Sequence, residues 1–318
     1  MHGADAALLR GLQQQCPNLL GHLLVANEND ARQARESLVA AGLHGTITVA
    51  PWQSGTLPFI DNFVNLLIAE RSDVASREEV LRVLAPEGTA FLGSETLVKP
   101  RPATMDDWPH QLYDASGNAV SKDKALKPPL QHLQWVGGPR WSRHHDKMSS
   151  VSACVSGDGK VFYIFDEGLI GITDQRLPER WSLLCRDAFN GKLLWKRPVA
   201  PWGWPEWARD KFADQDWTTI RGGRTILPDE NQRRLVADGQ RLFAIESARW
   251  LVEIDARDWT LRRRLRLLPA AMPPQLGRSK EGLVVSLPAH FGPRLTIVDP
   301  ETMRGRKFLV LLNVDRLA

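Results

Sequence analysis

The sequence predicts a two-part fold, an α/β region followed by an all-β region built from repeats. Three observations carry this. Continuous apolar runs alternate with helical periodicity over the first hundred residues, that periodicity fades beyond about residue 100, and one strand-turn template recurs after residue 150.

Residues 6 to 15 read as a helix with Leu8, Leu9 and Leu12 on one stripe. A second helix is expected over 30 to 42, opened by Asn29 or Asp30 as N-cap and closed by Gly42. Between and after them, "HLLVA" at 22 to 26 and "TITVA" at 46 to 50 suit short buried strands. The run "VNLLIAE" at 64 to 70 precedes "REEVLRVLAPEG", a helix with Val80, Val83 and Leu84 on one side that Pro86 ends; "TAFLGS" then resumes a strand. Continuous apolar strands of this kind belong to a mainly parallel sheet covered on both faces.

"KPRPAT" reads as a linker, and the expected boundaries are 1–99 for the α/β region, 100–150 for linker and junction, and 151–318 for the repeats. In "DAFNGKLLWKRPV" at 187 to 199, Asn190-Gly191 predicts a hairpin with a type I′ turn. The template is a glycine turn, an apolar strand, a second apolar strand ending in Asp, and a polar strand. It occurs at 159–198, 239–266 and 281–308, with Asp187, Asp255 and Asp299 as markers spaced by 68 and 44 residues. The second interval fits a propeller blade, and the first contains the Trp-rich insertion at 201 to 217. The expectation is therefore a partial β-propeller of about three blades, whose open strand edges attract pairing. The beginning and end both look cut, so the chain reads as a fragment of a longer protein; the alternative is a partner that covers the open edge.

Composition narrows the function classes. A formal charge of +4, with 43% hydrophobic and 25% charged residues, describes an ordinary globular protein. "RRRLR" at 262 to 266 reads as a solvated strand face, so no nucleic-acid partner is expected. Cys16, Cys154 and Cys185 form neither a disulfide framework nor a zinc pattern. There is no 18-residue apolar stretch to span a membrane, and "MHGADAALLRGLQQQ" is not a signal peptide. His110, His132, His144 and His145 cluster without metal-ligand spacing and are read as packing residues, so no metal is expected.

Two resemblances sharpen this reading. "DAFNGKLLW" resembles the repeat of pyrroloquinoline-quinone-type propellers, in which Asp-Ala-x-x-Gly-Lys precedes a strand carrying Trp; the second repeat has Arg263 where the Trp would fall. "LPFIDNFVNLLIAE" and "EEVLRVLAPEGTAFL" are similar to two segments of the class I S-adenosylmethionine-dependent methyltransferases, which have a Rossmann-like sheet. The combination resembles bacterial fusions of a methyltransferase-like domain with a quinoprotein-like propeller. The methyltransferase resemblance implies S-adenosylmethionine as cofactor, with Gly3, Asp5, Asn27, Glu28, Trp52 and Gln53 as its contacts and Trp52 able to stack on adenine. It also implies a first strand ending in Gly-x-Gly-x-Gly. Here only Gly3 and Asp5 look like its remainder, so an incomplete sheet and weak or lost cofactor affinity are expected.

Glu70 and Asp73, the carboxylates after the third apolar run, are read as solvated charges, and no catalytic base or methyl acceptor is identified. Pyrroloquinoline quinone is not expected as a cofactor, because three repeats do not close a ring and no adjacent cysteine pair exists. The rival reading is a non-enzymatic module whose propeller strands and Trp-rich insertion bind a protein or a glycan. Cofactor chemistry points to the cytoplasm, whereas such propellers are commonly exported.

Overall fold

In the computed structural model the chain divides into two compact units, residues 1–100 and 101–318. The residues described are 4–53, 55–114, 116–126, 129, 133–137, 151–168, 180–199, 233–246, 249–267, 275–279, 282–287 and 294–310.

In the first unit, helix α1 (Ala4–Gln15) precedes strand β1 (Gly21–Val25), helix α2 (Glu28–Ala40) and strand β2 (Ile47–Pro51). β1 and β2 pair in parallel from Gly21↔Ile47 to Val25↔Pro51. α2 lays Ala31 and Leu38 on Val25, Ile47 and Val49, and these apolar side chains form one small core. The helix begins earlier than the pattern suggests. Asn27, not Asn29 or Asp30, is the N-cap, because its side chain accepts from the Asp30 N–H at 3.0 Å.

A second sheet holds β3 (Val64–Ala69), β4 (Leu84–Leu92) and β5 (Glu95–Val98) in that order, with β3 parallel and β5 antiparallel to β4. Helix α3 (Arg77–Val83) connects β3 to β4, capped by Ser76. Pro86 does not end this helix. The chain enters β4 at Leu84, because the carbonyls of Arg82 and Val83 are taken by the N–H groups of Asn62 and Phe63, and Pro86 lies within the strand. The expectation of one sheet covered on both faces also needs correction. α3 covers one face through Val80, while Leu66, Ile68, Phe91 and Val98 on the other are exposed.

Among the described residues, the second unit contains three four-stranded antiparallel meanders, each in chain order. The first is β6 (Val151–Gly157), β7 (Lys160–Asp166), β8 (Trp181–Asp187) and β9 (Leu193–Pro198). The second is β10 (Leu235–Asp238), β11 (Arg241–Glu246), β12 (Trp250–Asp255) and β13 (Leu261–Arg266). The third is β14 (Gln275–Ser279), β15 (Gly282–Leu287), β16 (Arg294–Asp299) and β17 (Arg304–Val310).

Each sequence template thus gains a strand in front. These leading strands lie side by side, β10 touching both β6 and β14, so β9, β13 and β17 are the outer strands. One apolar core joins all three meanders, with Phe162, Trp195, Phe243, Leu251 and Val285 among its members. Consecutive meanders with adjacent leading strands are how propeller blades are arranged, and this unit is consistent with part of a β-propeller. Among the described residues no helix is long and apolar enough to cross a membrane.

The turn at Asn190-Gly191 differs from the expected type I′. Five residues, 188–192, separate β8 from β9, and only Gly191 has a positive φ, 72°. The Asp187 carboxylate shapes this loop by accepting from the N–H groups of Phe189 and Asn190 at 2.8 and 3.0 Å.

Candidate functional site

Four of the residues that the methyltransferase resemblance implicates, Asn27, Glu28, Trp52 and Gln53, follow the carboxyl ends of β1 and β2, where open α/β sheets place ligands. The Trp52 N–H donates to the Val25 carbonyl at 2.7 Å, which brings Trp52 and Gln53 beside the segment holding Asn27 and Glu28. Asn27 is occupied locally: its Oδ1 accepts from Asp30 N and its Nδ2 donates to Asp30 Oδ2, both at 3.0 Å. Glu28 pairs with Arg35 at 2.7 Å, and the half-buried Trp52 gives its indole N–H to the Thr56 carbonyl at 3.1 Å. Gln53 is exposed. Asp5 lies in α1, and Gly3 lies outside the described residues. Glu70 is exposed at the end of β3, and Asp73 pairs with Arg71, whose hydrogen bond holds its carboxyl below the usual range.

The two segments that carry the resemblance bind each other. Glu79 Oε1 accepts from the Leu57 N–H at 2.6 Å and from Arg82 at 2.7 Å. Arg82 also donates to the carbonyls of Leu57 and Phe59 and to Asp61 Oδ1 at 3.2, 2.9 and 2.7 Å. The Arg82 hydrogen bond holds Glu79 down to about 2. A carboxylate so committed serves to pin the loop 57–61 against α3, and a general base working near neutral pH needs a higher value. Lys99 completes the knot by donating to Asn62 Oδ1 and the Leu84 carbonyl at 2.6 and 2.8 Å.

In the second unit the marker aspartates have a common task. Asp187, Asp255 and Asp299 are all buried, and each accepts from the N–H two residues later, at 2.8, 2.9 and 2.9 Å. The carbonyl one residue after each marker then receives a donor from outside its own meander. Trp195 on β9 donates to Ala256 at 2.9 Å, and Arg263 on β13 donates to Pro300 at 2.7 Å. Trp135, ahead of the first meander, donates to Ala188 at 2.8 Å.

Register explains why Arg263 replaces Trp. It pairs with Glu253 on β12, whereas Trp195 pairs with Cys185 on β8. Glu253 is 3% exposed and accepts from the Arg263 Nε at 2.6 Å, so an ion pair buried on its acidic side stands where the first meander has a thiol beside an indole. Burial pushes the Cys185 thiol up to about 12, which leaves it unreactive.

Sequence reasoning missed a strap within 100–150. Residues Asp106–Gln111 cross the leading strands of all three meanders. Trp108 exchanges two hydrogen bonds with Ser156 on β6, both 2.7 Å; the Pro109 carbonyl accepts from Ala237 on β10 at 2.9 Å; and Asp107 Oδ2 accepts from the Asp158 N–H at 3.2 Å. Gln111 accepts from Arg233 at 2.9 Å, and Arg233 also reaches Gln275 on β14 at 3.4 Å. His110 sits against Gly277, where a Cβ would meet its Nε2 at 3.0 Å; burial, then Arg233, lowers its pKa. Polar and aromatic residues around a linker-like Pro-rich stretch gave no periodic signal that could have revealed this. His132, His144, His145 and the Trp-rich insertion at 201–217 lie outside the described residues. Among the described residues no three His, Cys, Asp or Glu side chains gather as metal ligands would.

No protein-family model matches the chain, and no curated protein does. Solved structures similar to it include BamB from Moraxella catarrhalis, at 11% identity and TM-score 0.31, covering 51% of this chain and 37% of that one. A europium-containing methanol dehydrogenase matches at 10% identity and TM-score 0.38, covering 64% and 32%. Quinohemoprotein alcohol dehydrogenase from Comamonas testosteroni matches at 9% and 0.37, covering 64% and 27%. The chain spans about a third of the length of these structures. Likeness at this level carries no argument about activity; the partial-propeller description rests on strand topology. None of the comparisons supports the methyltransferase resemblance.

Proposed function

We propose that the chain is a propeller-type protein-binding module joined to a Rossmann-like methyltransferase domain in which S-adenosylmethionine affinity is weak or lost. The observation that carries this reading is the Asn27 side chain. It stands where the resemblance implies a ribose contact, yet both its oxygen and its nitrogen are committed to Asp30 as a helix cap. Two further features support it. A doubly wound sheet has the order 3-2-1-4-5, and the separate parallel pairs β1–β2 and β3–β4 correspond to its pairs 2-3 and 4-5. The Glu79–Arg82 knot likewise gives the most family-like residues a structural task.

Calorimetric titration of the chain with S-adenosylhomocysteine tests the reading. Absence of heat up to millimolar ligand is the expected result. Micromolar binding would overturn it and restore methyl transfer as the leading activity.

A further inference from the structure

The outer strands of the second unit differ from the rest in charge. Leu193–Pro198, Leu261–Arg266 and Arg304–Val310 together hold nine lysines and arginines and no acidic residue. The nine other strands of the same unit hold seven acidic and five basic residues. Lys196, Arg197, Arg262 and Arg263 meet carboxylates of their own unit, Glu167, Glu246, Asp255 and Glu253. On β13 that leaves Arg264 and Arg266, both exposed and, among the described residues, in no ion pair.

Their position on the sheet matters more than their number. β13 is the last strand of its sheet. The Leu267 N–H donates inward to the Arg249 carbonyl at 2.7 Å, and the register pairs Trp250 with Arg266 and Val252 with Arg264. In an antiparallel ladder inward and outward groups alternate, so the backbone N–H and C=O of Arg264 and Arg266 face away from β12. Among the described residues, one edge thus presents unpaired main-chain groups and, about 6.8 Å apart along the strand, two guanidinium groups. Arg264 is further fixed by stacking over the Trp250 ring at 4.7 Å.

We infer that β13 receives an extended acidic segment of a partner protein as a fifth strand, with carboxylates at alternate residues meeting Arg264 and Arg266. This rests on the protein-binding reading above. A strand satisfies the outward main-chain groups, and acidic residues at i and i+2 share its repeat. A nucleic acid answers only the charge, and only two of the four arginines on β13 are left to meet it.

The test is fluorescence anisotropy with the full chain and four labelled probes. These are a nine-residue peptide alternating Glu with Val or Thr, its Gln counterpart, the Glu peptide N-methylated at alternate residues on its pairing edge, and oligothymidylate. The Glu peptide is expected to bind with micromolar Kd. Binding should weaken at least tenfold for the Gln peptide, for the N-methylated peptide, and for R264Q/R266Q with the Glu peptide; both changes sit on exposed side chains. Equal binding of the N-methylated peptide or of oligothymidylate would overturn the inference, since charge alone would then suffice. No binding of the Glu peptide would overturn it too while leaving untouched the lost-cofactor reading, which the S-adenosylhomocysteine titration tests separately.

Discussion

Residues 1–100 hold their strands in two short sheets with separate small cores, whereas residues 101–318 join three sheets through one core. The contrast lies in where each strand finds its partners. A parallel pair needs a helical crossover for every strand and cover on both faces, and the β3–β5 sheet has helical cover on one face only. An antiparallel meander closes its own ladder with short turns, so its side chains remain available to the next meander. The first unit is therefore held by two small cores and by local polar knots such as Glu79–Arg82, and the second by contacts repeated from meander to meander.

The sharpest way to break this contrast is Trp195→Ala. The indole is 6% exposed and bridges to Ala256, so its loss is expected to cost about 3–5 kcal/mol, read as faster amide exchange across both flanking meanders while residues 1–100 are unaffected. Amide hydrogen exchange followed by mass spectrometry separates the two units, and equal acceleration in both would show that they do not behave independently.

Arg263→Ala comes next. It strands the buried Glu253 carboxylate, but Arg263 itself is one-third exposed, which reduces the expected loss to about 2–3 kcal/mol. The double change E253C/R263W copies the first meander's pair and should recover most of that loss in thermal melts. Failure to recover would mean that the two junctions are not equivalent.

Gly191→Ala is expected to cost about 1–2 kcal/mol. Its φ is +72°, and a Cβ would lie 2.5 Å from the Trp135 ring. In a Trp135→Ala background the steric part should vanish, so a denaturant double-mutant cycle that found strict additivity would separate Trp135 from this loop.

The smallest effect is in the first unit. Glu79 has its pKa lowered by Arg82 from 4.5 to about 2, so its contribution is full above about pH 4.5 and is lost as pH falls toward 2. Glu79→Gln should flatten the acid limb of amide protection in residues 55–83 and leave the second unit's profile unchanged.

Much of this organisation was legible. The apolar runs located β1, β2 and β3 to within a residue or so, and the three aspartates marked the ends of β8, β12 and β16. The errors have physical causes. Pro86 reads as a helix stop from one residue's φ, yet α3 had already ended when Asn62 and Phe63 took its last carbonyls. β5 is four residues long, too short for alternation to show. Apart from these errors, the sequence does not show the local tasks of two candidate cofactor residues: Asn27 caps α2 and Glu28 meets Arg35.

The sequence by itself determined the order of elements, the recurrence of an aspartate-closed template and the substitution of Arg263 for a tryptophan, because each depends on residues close along the chain. Only the tertiary structure decided that Trp135, Trp195 and Arg263 reach equivalent carbonyls, that Asp106–Gln111 straps three leading strands, and that Arg264 and Arg266 face outward from a sheet edge. Those facts join residues 37 to 128 positions apart, or depend on which strand happens to be last, and no local propensity records either.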